Sequence, residues 1–119
     1  MKYLLLIYEN EAAWANASEE EQGQVFGEYM AFTEDISKGG QLIAGEALQP
    51  TATATSVRVE SGETITTDGP FAETREQLGG FYLVEAADLD AAVALAARIP
   101  GARSGTIEVR PVLPTPMPE

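Results

Sequence analysis

An α+β domain of the ferredoxin-like βαββαβ type, carrying an inserted β-hairpin, is the fold class this sequence predicts. Three observations lead to it. Two segments, Tyr3 to Tyr8 and Gly80 to Glu85, are apolar at nearly every position, as strands covered on both faces are. Two other segments, near Ser18 to Gly40 and Asp88 to Gly101, carry helical spacing and end at glycine or proline. Strand and helix signals follow one another as strand, helix, strand, hairpin, strand, helix, strand.

The first strand, Lys2 to Tyr8, is rich in strand formers and too short to span a membrane. The stretch Glu9 to Ala17, which holds the single tryptophan Trp14, reads as a loop or short irregular turn. Ser18 followed by Glu21 matches a capping box, and acids at Glu19, Glu20 and Glu21 favour the positive end of a helix. Val25, Tyr29, Phe32 and Ile36, with Phe26, Met30 and Thr33 alongside, form its apolar stripe, and Gly39-Gly40 supplies a left-handed stop. Gln41 to Leu48 is a second strand, weakened by Gly45 and closed by Pro50.

After a polar connector, Ser56 to Glu60 and Glu63 to Thr67 form the hairpin, with Ser61-Gly62 as its turn. Gly80 to Glu85 lies centrally in the sheet. Asp88 caps the second helix, whose inner stripe is Leu89, Ala92, Val93, Ala96 and Ile99, and Pro100-Gly101 ends it. Thr106 to Arg110 alternates as a half-exposed strand does. A single domain over residues 1–112 and a proline-rich tail over 113–119 follow from this reading.

Composition narrows the function classes. The chain has 119 residues, with 19 acidic against 7 basic side chains and a net charge of -12. Such a field repels phosphate backbones and anionic membranes, so neither nucleic acid nor membrane is an expected partner. There is no cysteine and no histidine, which removes thiolate chemistry, serine triads and histidine-based metal sites together. No cofactor is called for, and a cytoplasmic location is expected. Since two helices cover only one face of the sheet, the other face, apolar in its central strands, calls for a second copy of the chain.

Asp68-Gly69-Pro70-Phe71-Ala72-Glu73-Thr74-Arg75-Glu76-Gln77-Leu78-Gly79-Gly80-Phe81-Tyr82 is the densest run of unusual residues. Gly69 and Pro70 enforce a sharp turn that leaves Asp68 at a strand end and Phe71 as an anchor, while Gly79-Gly80 admits a close backbone or ligand. Together with the start MKYLLLIYE, the motif DGPFAETREQLGGFYLVEA resembles the YCII-related family in its DGPF branch, over nearly the whole chain. The resemblance implies a dimeric α/β barrel built on the ferredoxin-like fold. It also implies, for some members, enzymes with a His-Asp pair, which a chain without histidine does not carry. For DGPF members it implies an association with sigma factors.

The candidate site residues follow from this segment and from the strand ends. Asp68 is either a general base raised by burial behind Phe71 and Phe81, or an acceptor for the backbone of its own turn. Gly69, Pro70, Phe71, Glu73, Arg75 and Gly80 are candidate ligand contacts, with Arg75 also a partner for the acids around it. Tyr8, Glu9 and Tyr82 are placed to line a pocket on a sheet face, or else to pack the core. Asp68, Glu73 and Glu76 match no calcium loop, so no metal site is expected. Two functions fit: a dimer binding a small organic molecule near the Asp68 loop, as a carboxylate- or tyrosine-based enzyme; or a noncatalytic partner of a sigma factor.

Overall fold

Strand β1 (Lys2–Glu9) alternates between two environments, because successive side chains of a strand point to opposite faces. Tyr3, Leu5 and Ile7 are buried, while Leu4, Leu6 and Tyr8 are only half-buried. The computed structural model describes residues 1–116. In it β1 sits between β5 (Gln77–Glu85) and β6 (Thr106–Pro111), antiparallel to both, and β2 (Leu42–Ala47) joins the far side of β5. The sheet order β2-β5-β1-β6 is that of the ferredoxin-like arrangement expected from the sequence. Met117, Pro118 and Glu119 of the expected proline tail lie outside the described residues.

Helices α2 (Glu19–Lys38) and α3 (Leu89–Ala97) cover one face of this sheet. Ser18 caps α2 by accepting a hydrogen bond from the Glu21 amide at 3.1 Å. Gly40, at φ 77°, closes the other end, letting the Gln41 amide reach the Ile36 carbonyl. Asp88 caps α3 through the Ala91 amide at 2.9 Å. The core joins Tyr3, Leu5, Ile7, Tyr82 and Val84 of the sheet to Phe32, Ile36, Ala92, Leu95, Ala96 and Ile99. Gly45 has a packing reason here: a Cβ at that position would stand 2.8 Å from the Tyr82 ring.

Several expected details are corrected. The stretch after β1 is not a loop: Glu11–Ala15 forms a short helix, α1, capped by Asn10. Phe26 and Met30 do not belong to the inner stripe of α2; they are 65% and 59% exposed. They lie off the line that Val25, Tyr29, Phe32 and Ile36 draw down the helix. In α3 the packing line is Ala92, Leu95 and Ala96, continued just past its end by Ile99, which leaves Leu89 and Val93 about half exposed. Pro100 and Gly101 do more than stop the helix, since they open a 3-10 turn, Pro100–Arg103.

β3 (Thr55–Glu60) and β4 (Glu63–Asp68) form a separate two-stranded sheet, turned by Ser61 and Gly62 with both φ values positive. This is the conformation a two-residue hairpin turn demands. Among the described residues no helix covers either face of this arm. Its root is fixed, however. The Glu11 carboxylate accepts hydrogen bonds from the Thr51 amide and hydroxyl, both at 2.8 Å, and the Gly69 amide donates to the Ala54 carbonyl. Among the described residues no helix is long and apolar enough to cross a membrane.

Candidate functional site

The end of β1 brings a carboxyl, a phenol and a backbone amide together. Glu9 falls on the same face as Ile7, beneath α2 and the 3-10 turn, because the pleat alternates. Tyr29, one turn before the buried Phe32 and two before Ile36, is carried to it by α2. The Tyr29 hydroxyl donates to Glu9 Oε1 across 3.4 Å and accepts from the Gly101 amide at 3.1 Å. Gly101 is where it is because nothing larger fits: a Cβ there would lie 2.7 Å from the Tyr29 oxygen and collide with the Glu9 carboxylate. Gly105 is constrained in the same way by the Tyr8 carbonyl and the Glu9 side chain.

Burial pushes the Glu9 carboxyl above its usual range; the Tyr29 hydrogen bond opposes this, and the nearby charge of Glu76 adds to the rise. Burial, with the charge of Glu9, raises the Tyr29 phenol as well. Tyr29 therefore stays protonated and donates. No buried side-chain polar atom among the described residues lacks a hydrogen-bond partner. Glu9 Oε1 faces Tyr29, while Oε2 has no protein donor among them and remains reachable by solvent. A carboxyl with one oxygen held, the other presented and its pKa raised by burial is chemically able to exchange a proton.

Glu76 ties the Asp68 loop to this place. Thr106 donates to its Oε1 at 2.9 Å, and the next residue, Gln77, pairs with Glu9 in the sheet. Gln77 Oε1 also accepts from the Glu11 amide at 2.9 Å. The loop that leaves the arm at Gly69 thus ends beside Glu9, where Gln77 pairs with it in the sheet.

The other expected site residues are scattered. Asp68 closes β4 and is exposed; the turn after it is held by the Gly69 amide and by Ser56 Oγ donating to the Gly69 carbonyl at 2.8 Å. Phe71 is 85% exposed, so it neither anchors the loop nor buries Asp68. Pro70, Glu73 and Arg75 are exposed, and Arg75 forms no ion pair among the described residues. Gly80 is buried and admits a backbone: a Cβ there would be 2.9 Å from the Glu46 carbonyl.

Tyr8 and Tyr82 do not line one pocket. Tyr82 shares the helix-covered side with Glu9, its hydroxyl 2.6 Å from Thr33 Oγ1. Tyr8 opens onto the opposite side, with Leu4 and Leu6, because it is one residue out of step with Glu9. Sequence reasoning missed Tyr29, Glu76 and Gly101, taking them for core, charged turn and helix stop. A second glycine four residues after Gly101 is the signal that the crossing is tight.

Comparison with known proteins agrees with this architecture. The model of the YCII-related domain family matches residues 1–116. An uncharacterized protein of Rhizobium meliloti (strain 1021) is 40% identical over 114 residues, covering 94% of this chain and 92% of that protein. A match over nearly the whole length, on a fold with the strand order expected from the sequence, makes the chain a member of the YCII-related family.

Proposed function

We propose that this protein binds a small organic molecule at the end of β1 and exchanges a proton with it through Glu9, working as a homodimer. The observation that carries the reading is the Glu9 carboxyl, raised by burial, with Tyr29 on one oxygen and solvent on the other. Tyr29 orients the carboxyl and, pinned by the Gly101 amide, keeps it from swinging away. The ligand is neutral or cationic: Glu76 lies close to Glu9, and the chain's charge of -12 repels anions. The 3.4 Å separation is long for such a bond, and catalytic hydrogen bonds often tighten only when substrate arrives.

The homodimer draws on the uncovered sheet face. There Leu4 stands opposite Leu83 and Leu6 opposite Phe81, an apolar centre flanked by Glu46 on one side and Glu108 and Arg110 on the other. A two-fold pairing buries such a strip against its own copy.

A screen of small neutral and cationic compounds, followed by amide and methyl NMR, tests the site. Compounds that bind should shift Ile7, Glu9, Tyr29 and Gly101, and lose affinity at least tenfold in Glu9→Gln while that variant stays folded. Asp68→Asn should bind as the unaltered protein does. Binding that survives Glu9→Gln but fails in Asp68→Asn moves the site back to the loop and refutes the role given to Glu9.

A further inference from the structure

We infer that the β3–β4 arm is a dimer clasp: its uncharged face packs against the second copy of the chain, extending the interface beyond the open sheet. The inference rests on the homodimer reading given above. In the register of the hairpin Val57 stands opposite Thr66 and Val59 opposite Thr64. Because side chains two apart share a face, these four β-branched residues form one surface, with Thr55 continuing it and a charge only at its root, Asp68. The opposite face carries Arg58, Glu60 and Glu63 with Ser56 and Thr67, and a single apolar residue, Ile65, so the charge lies on that side. Val57 and Val59 are nevertheless 61% and 68% exposed in the single chain. Phe71 sits beside β3 in a shallow groove lined by residues of both its faces, Thr55 and Val57 on one and Ser56 and Arg58 on the other.

Three observations say what covers this face. A two-stranded hairpin alone is marginal in water, yet this one is held at a built root by Glu11, Thr51, Ala54 and Gly69, so it projects in a set direction. The single chain is also too large for its mass. Its radius of gyration is 16.3 Å, against about 13.5 Å for a compact domain of this length. Its accessible surface is 8538 Å², against about 6,200 Å² for a compact monomer of 12.7 kDa. The surplus is about 2,300 Å², and Val57, Val59 and Ile65 of the arm are among the exposed large apolar residues. Permanent dimers bury on the order of 1,000–2,500 Å² per partner, so a second copy is an occupant of the right size.

Sedimentation velocity of the full chain over a range of concentrations, comparing the wild type with the Val57→Glu/Val59→Glu double variant, decides the matter. The wild type is expected to dimerise and the variant to dimerise about 100-fold more weakly, with its circular dichroism unchanged. Hydrogen exchange on the wild type supplies a second readout that needs no variant. The amides of β3 and β4 should exchange more slowly as concentration rises through the dimer range. A double variant that dimerises like the wild type, with arm exchange independent of concentration, overturns the clasp and leaves the sheet-face dimer standing. A wild type that stays monomeric at every concentration overturns both.

Discussion

β1 with β5 and β3 with β4 are both antiparallel pairs, yet one pair forms the centre of the core and the other stands free of it. The difference does not lie in strand-forming residues, since the arm is richer in valine and threonine than many core strands are. It lies in what arrives on the faces. Each half of the ferredoxin-like unit returns an α-helix across β1 and β5, whereas the arm is an excursion between Ala47 and Gln77 that brings only a single 3-10 turn, Thr51–Thr53. Local propensity builds a hairpin; only a covering element makes it core.

The largest test of that contrast is in the body. Leu5→Ala, at a fully buried position between Tyr82 and Val109, should cost about 2–5 kcal/mol in denaturant unfolding. Gly105→Ala should come next, at about 1–3 kcal/mol, because its Cβ meets the Tyr8 carbonyl, which is backbone and cannot rotate away. Tyr29→Phe strips the partner from the Gly101 amide and should cost about 1–3 kcal/mol. It should also raise the Glu9 pKa further, as a carboxyl-detected NMR titration would show, since the Tyr29 bond is what holds that value down.

Glu9→Gln acts in the opposite direction. Folding raises the Glu9 pKa above 4.5, so its contribution is fully present below that pH and lost as pH climbs through the raised value. The glutamine variant keeps an acceptor for Tyr29 and has no charge to desolvate. It should therefore be the more stable protein at neutral pH, with the advantage gone by pH 4, in paired thermal melts. Smallest of all, Val57→Thr should change the unfolding free energy of a dilute, monomeric sample by no more than about 0.5 kcal/mol. A large loss at that position would show that the arm is buried within its own chain.

Much of this was legible in residues that act locally. Ser18, Gly40 and Asp88 set helix ends by hydrogen bonds to their own neighbours, and the sequence names them without help from the rest of the fold. The strand order follows from the sequence of elements and from the right-handed crossover rule. The site was less legible because its parts come from distant segments: Glu9 was among the candidates, but Tyr29 looks like any stripe residue and Gly101 like any helix stop. The Asp68 motif drew attention for its glycine and proline, which shape a turn; the carboxylate within it lies in solvent. Phe26 and Met30 show the limit of reading a stripe, since a helix of period 3.6 offers more apolar residues than one sheet can cover.

Glu11 grips Thr51 with its carboxylate and Gln77 with its amide, two residues beyond Glu9. Glu11 thus makes one short piece of backbone common to the base of the hairpin and the end of the strand that holds Glu9.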